Sequence, residues 1–180
     1  MTTLTLARSD RYTVAKVIGF AVALAAASQV AIPIPGTPVP ITLQPMLVVL
    51  AGFWLAPRAA VASMALYLAA GALGAPVFTP IGAPGVARLL GPTGGYLLAY
   101  PVAALVASLL ARRAGGLAGR FVAAVAAMAV IYLGGLSQLA IVTGSFTAAA
   151  LLGAAPFAAL DLVKCAVAAL LAPKRLSEAR

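Results

Sequence analysis

Six apolar stretches, each close to the length needed to cross a bilayer, fill most of this chain and leave only short connections between them. They run over 14–32, 42–56, 59–75, 94–111, 120–142 and 155–172, and a spanning helix needs roughly 17–25 mostly apolar residues. A water-soluble core is excluded, because 64% of the 180 residues are apolar and 8% charged, against about 45–50% and 25% in soluble domains. Mean hydropathy is +1.11. The expected fold class is an all-α integral membrane protein, a single six-transmembrane-helix bundle over residues 1–180. The second stretch is short, and Pro45 falls near its start, where a missing N–H costs little. Residues 146–153 are either a separate interfacial helix or an extension of the sixth span. The first run is too long for a cleaved leader, so none is expected.

Charge then orients the bundle. Twelve basic residues stand against three acidic ones, a net +9, but the basic residues sit at the edges of apolar runs with no soluble domain to carry them. Nucleic acid is therefore not an expected partner. Lys and Arg near span ends favour the cytoplasm. An N-terminus on that side places Arg8, Arg11, Lys16, Arg58, Arg112, Arg113, Arg120, Lys174, Arg175 and Arg180 inside and only Arg88 outside, with Lys164 at membrane depth. Both termini are thus expected in the cytoplasm. Cys165 is the sole cysteine and histidine is absent, so neither an intramolecular disulfide nor a conventional metal site is expected. No P-loop sequence is present, so this chain is not expected to bind ATP that way.

The connections differ by side. Those assigned to the inside are short and basic, whereas the outer ones, residues 32–40 and 74–95, are rich in Pro and Gly. Such residues hold backbone in turns and extended forms. Irregular backbone at a membrane has to be covered or line a cavity, so these loops are expected to wall or lid an outward-opening pocket. Alanine dominates the spans and lets helix axes approach closely. In the first span, Ala21 with Ala25 and Ala23 with Ala27 have small-xxx-small spacing, which serves either packing within the bundle or docking of another membrane protein.

Asp161 and Lys164 are the only charges at membrane depth. One ionised side chain at the centre of a span costs about 2.5–3.5 kcal/mol. At i and i+3 the two share a helical face and partly neutralise each other. Phe157, Asp161, Lys164 and Ala168 form one stripe, read either as a binding surface or as an ion pair against a neighbouring helix. Cys165 beside them reads as packing. Further candidates gather in two strings. In Gly91-Pro92-Thr93-Gly94-Gly95-Tyr96, Gly94 and Gly95 at a helix start allow close backbone approach of a ligand, Thr93 can cap, and Tyr96 is a ligand wall or a membrane anchor. In Pro38-Val39-Pro40-Ile41-Thr42-Leu43-Gln44, the amide of Gln44 serves a ligand or a helix neighbour. Gln29, Ser137 and Gln138 read as interhelical bonds. Arg88 either meets an anionic group or is solvated.

Taken together these residues resemble the BioY family, the biotin-specific capture subunits (S components) of energy-coupling-factor (ECF) transporters. The resemblance rests on Pro38-Val39-Pro40-x-Thr42-Leu43-Gln44, Ser63-x-x-x-Tyr67-Leu68, Gly71-x-x-Gly74-x-Pro76-Val77-Phe78, Gly91 through Leu97, and Pro156-Phe157-x-x-x-Asp161-x-x-Lys164. It implies a multi-pass protein of the bacterial cytoplasmic membrane that captures biotin from outside. A membrane coupling protein and two ATPases would supply the energy. ATP would then bind only to the partners, and the chain would need no cofactor of its own. The alternative is a solitary biotin transporter, as a homo-oligomer in the lipid bilayer. By motif, Asp161 and Lys164 would hold the biotin head, with Phe78, Tyr96 and Phe157 around its apolar parts and Arg88 or the Gly94-Gly95 helix start on its carboxylate. The chain departs from the family pattern between Phe78 and Gly91 and at Leu97-Leu98-Ala99-Tyr100.

Overall fold

A computed structural model describes residues 2–113 and 115–173, with side chains from residue 11 onward. Lys174, Arg175, Arg180 and the side chain of Arg8 lie outside the described residues. The chain runs α1 (Thr2–Gln29), β1 (Ala31–Ile32), β2 (Ile41–Thr42), α2 (Gln44–Trp54), α3 (Pro57–Ala72), α4 (Val86–Leu90), α5 (Gly94–Leu98), α6 (Tyr100–Arg113), α7 (Gly116–Thr143), α8 (Phe146–Gly153) and α9 (Ala158–Leu171).

Every predicted stretch carries a helix, and the local chemistry sets most of the boundaries. Pro45 and Pro57 lie in the first turns of α2 and α3, where their fixed φ suits a helix start. Between α5 and α6 the chain stays helical at Ala99 (φ −75°, ψ −17°). The interruption falls there because Pro101 cannot donate to the carbonyl four residues back. α7 ends on Gly144, whose φ of +69° is left-handed, a conformation glycine adopts at little cost. The Ser145 side chain then accepts the Ala148 N–H at 3.2 Å and caps α8. Residues 146–153 are thus a helix of their own, bent 56° from α9 across the Pro156 break. Helices Arg11–Gln29 and Gly116–Thr143 are each long and apolar enough to cross a bilayer, and α8 with α9 makes a third if taken as one bent span.

The loop over 32–40, expected in turns and extended forms, is closed at its base by a short antiparallel ribbon pairing Ala31 with Thr42 and Ile32 with Ile41. Gly36 at φ +87° turns it, and the Thr37 hydroxyl donates to the Leu152 carbonyl at 2.6 Å, tying the loop to α8.

α7 is the central post of the bundle, packed on α5, α6, α8 and α9. Ala103, Ala104 and Ala107 of α6 and Ala123, Ala124 and Ala127 of α7 are all buried, and Ala104 and Ala107 lie against Gly52 of α2. Close approach is carried furthest where α5 crosses α7. A Cβ on Gly95 would lie 2.1 Å from the Gly134 carbonyl oxygen, and one on Gly134 would lie 2.6 Å from that of Gly95. Hydroxyls join other helices: Ser63 donates to Val17 at 2.8 Å and Ser108 to Leu55 at 3.0 Å.

Candidate functional site

Two adjoining lobes of one cavity sit under the proline-rich ribbon. They share Val39, Pro40, Thr42, Pro45, Tyr96 and Ile131 as lining. One lobe adds Gln44, Thr79, Arg88 and Thr93 and holds about 490 Å³ of free space, its mouth included; the other adds Tyr132, Phe157, Asp161 and Lys164 and holds about 360 Å³.

The second lobe is built on helices. Asp161 and Lys164 project from the same face of α9, both 6% exposed, and Lys164 Nζ lies 2.7 Å from Asp161 Oδ1. From α7, the Tyr132 hydroxyl donates to Asp161 Oδ2 at 2.5 Å. The two readings of the α9 stripe therefore coincide: the charges form an ion pair and also line the cavity. Phe157, at the start of α9, is buried alongside. Each carboxylate oxygen keeps a free lone pair after these bonds, and Lys164 keeps ammonium protons for an acceptor.

In the other lobe the charged group is held by a loop. Arg88 comes from the single-turn helix α4 and is 7% exposed, so the solvated reading of this cation is corrected. Its Nη2 donates to both the carbonyl and the hydroxyl of Thr79. The guanidinium sits where a Cβ on Gly82 would be, 2.5 Å from Nη1. Its Nε has no partner among the described residues. Burial pushes the guanidinium down from its ordinary pKa, but such a group stays charged. Gln44 donates to the Tyr67 hydroxyl at 2.7 Å, so it serves a helix neighbour from the cavity edge.

Tyr96 stands between the lobes. Its hydroxyl donates to the Gly153 carbonyl at 2.9 Å and its ring lies on Gly135, which makes it an internal wall and not an interfacial anchor. Thr93 lines the cavity but makes no side-chain cap.

Three expected positions are corrected. Gly94 and Gly95 do not line either lobe. Their missing side chains are used by the protein itself: a Cβ on Gly94 would lie 1.9 Å from the Leu89 oxygen and one on Gly95 against Gly134. Both glycines are buried. Phe78 turns away from the cavity, laying its ring over Gly71 and meeting Tyr67 edge-on at a centroid distance of 5.4 Å. Of the polar residues read as interhelical, Gln138 bonds from α7 to Leu89 of α4 and to Gly91 just beyond it, whereas Gln29 bonds to the loop carbonyls of Pro76 and Phe78. Ser137 bonds back to Leu133 of its own helix.

The alanines of α1 divide. Ala21 is buried and Ala25 packs against the core, whereas Ala23 and Ala27 are half-buried on another side. Ala21 is therefore removed from any docking stripe. Tyr132, Tyr100 and Ile131 line the cavity although sequence reasoning misses them. For Tyr132 a signal exists, since a phenol in the middle of the fifth stretch is far from the interfaces where tyrosine is usual.

The profile of the BioY family matches residues 1–179. The chain belongs to the BioY family. Among its relatives, a probable biotin transporter BioY of Pyrococcus horikoshii is 41% identical over 137 residues, covering 76% of this chain and 80% of that one. The biotin transporter BioY of Thermotoga maritima is 38% identical over 141 residues, 78% and 83% of the two chains. In three dimensions the chain is similar to the crystal structure of the S-component for biotin from an ECF-type ABC transporter, with TM-score 0.83 over 92% of this chain and 90% of that chain at 22% identity. This BioY-family chain is accordingly a membrane protein with the fold of such a component.

Proposed function

We propose that this chain binds biotin in the two-lobed cavity and carries out its uptake as the substrate-capture subunit of an ECF transporter. The observation that carries the reading is the pairing of two polar ends across an apolar waist. Asp161 and Lys164 lie in one lobe and Arg88 in the other, with Pro40, Pro45, Tyr96 and Ile131 between. Biotin has the matching order of parts: a urea with two N–H donors and a carbonyl, an apolar ring and tail, and a carboxylate. The urea N–H groups meet Asp161, its carbonyl meets Lys164, and the carboxylate meets Arg88 through charge-assisted hydrogen bonds. The Gly94-Gly95 helix start has no part in this, since packing occupies it.

Family membership sets the chain among transporters and against an enzyme. The finer reading is a single bundle over 1–180 that crosses a bacterial cytoplasmic membrane six times with both termini inside. The short α2 and α3, the α5–α6 pair and the bent α8–α9 pair each complete a crossing within the bundle. A membrane coupling protein would dock beside the half-buried Ala23 and Ala27, and two ATPases would supply the energy. The chain itself takes no cofactor.

Binding of biotin to the purified chain, set against riboflavin and thiamine, tests the substrate. Tight binding of biotin alone is expected, and no preference for biotin would overturn the assignment. Uptake into proteoliposomes with and without the coupling protein and ATPases tests the partners. Dependence on ATP is expected, and unaided uptake would make the chain a solitary transporter.

A further inference from the structure

Tyr132 stands at a boundary between two spaces. On one side is the Asp161 lobe of the cavity; on the other is a fissure between α7 and α9 lined by Val125, Ala129, Ala158, Leu162 and Cys165. Met128, Tyr132 and Asp161 line both, so the wall separating them is one side chain thick. The rim of the fissure is exposed at Ala129, Ala158 and Leu162, on a face that also presents Val163 at 58% exposure. In a membrane protein that face meets hydrocarbon.

The carboxylate in this wall is held from two directions. Lys164, one turn further along the same helix, takes Oδ1, and Tyr132, from the opposing helix, takes Oδ2. Lys164 alone would leave Asp161 free to swing with its own helix as the only reference. The bond from Tyr132 fixes it to α7 and leaves the remaining lone pairs toward the cavity. We propose that Tyr132 is the positioning residue whose hydroxyl aims the Asp161 carboxylate at the ligand, and that its ring shuts the cavity against the bilayer. A tyrosine suits both tasks: its ring fills a low-dielectric wall without adding charge, and its hydroxyl spends one acceptor site of the carboxylate while those facing the cavity stay open to N–H donors. The inference rests on reading the cavity as the biotin site.

Tyr132→Phe keeps the ring and removes only the bond. Biotin affinity is expected to fall about tenfold, the scale of one hydrogen bond to an ionised group. The decisive measurement is the double-mutant cycle with Asp161→Asn, using equilibrium dialysis of labelled biotin. If Tyr132 works through Asp161, adding Tyr132→Phe to the Asp161→Asn variant costs less than about threefold, because the two changes remove one coupled interaction. A full tenfold loss there, or affinity within about twofold of the unaltered chain for Tyr132→Phe alone, would overturn the positioning role. Failure of the unaltered chain to bind biotin would instead remove the parent reading, so the two failures are distinguishable.

Cys165 reports on the seal, being the only thiol of the chain and lying buried on the fissure side. A charged, membrane-impermeant thiol reagent is expected to leave it untouched in the unaltered chain and in Tyr132→Phe, and to modify it in Tyr132→Ala, where the wall has a gap. Equal protection in a monodisperse Tyr132→Ala protein would overturn the closure.

Discussion

The two lobes of the cavity contain comparable chemistry but hold their charged groups differently. In the Asp161 lobe both charged groups rise from α9, where Asp161 bonds to Lys164 of its own helix and to Tyr132 of α7. In the Arg88 lobe the cation stands on a five-residue helix and its partners belong to the loop around Thr79. Helices held by buried seams keep side chains in place whether or not a ligand is present. A loop-borne group moves with the loop, which is the part of a fold most free to move. On the proposed reading, the helical lobe would hold the urea in a fixed frame, and Arg88 would meet the carboxylate as its loop closes.

That division of labour is tested most severely at Asp161. Asp161→Asn leaves Lys164 buried without its counter-charge and turns an acceptor-only group partly into a donor; biotin affinity is expected to fall about a hundredfold or more, on the scale of breaking a buried pair. Unchanged affinity by calorimetry would remove the helical lobe from recognition. Gly95→Ala probes the crossing that holds this lobe's frame: with the Gly134 oxygen 2.1 Å from the new Cβ, stability should drop by about 1–3 kcal/mol. Unfolding temperature in detergent should fall accordingly, and unaltered melting would refute the packing role.

Arg88→Met tests the loop lobe. Biotin is expected to bind about tenfold more weakly, whereas the neutral primary amide of biotin should bind both proteins alike, since loss of a charged hydrogen bond is worth about 1.5–3 kcal/mol. An equal loss for acid and amide would show that Arg88 holds the loop and not the ligand. The smallest effect is expected at Thr37→Val, which cuts the tie from the ribbon to Leu152 and should cost about 0.5–1.5 kcal/mol of hydrogen bonding. Faster proteolysis within 33–40 is the readout, and an unchanged cleavage rate would show that the ribbon is held elsewhere.

The helical lobe is legible in the sequence because charge is so rare in the apolar stretches that Asp161 and Lys164 stand out from any background. Helical spacing then puts Phe157 beside them. Tyr132 is harder to see: its meaning lies in a contact between residues 29 apart on two helices, and no periodicity within one helix encodes that. Gly94 and Gly95 mislead for a physical reason. A helix start that welcomes a ligand and a helix start crossed by another backbone both require residues without a Cβ, and only the position of Gly134 separates them. Arg88 misleads because an isolated cation in a loop is usually solvated, whereas the fold of 74–95 closes over this one. The ribbon at Ala31 and Thr42 is two residues wide, too short for an alternating pattern among so many prolines. Helix existence follows from apolarity, whereas the choice between a separate helix over 146–153 and an extension of the sixth stretch is decided only by the 56° bend between α8 and α9.

The alanines buried where α6 packs on α2 and α7 carry a mechanical consequence. A methyl side chain has no rotamers, so this interface cannot answer a bound molecule by rearranging side chains one at a time. Strain arising on the cavity side has to pass into displacement of whole rods along a smooth track, the low-friction shear by which packed helices slide. A protein with such bearings at its centre converts occupancy of its interior into a change of outline.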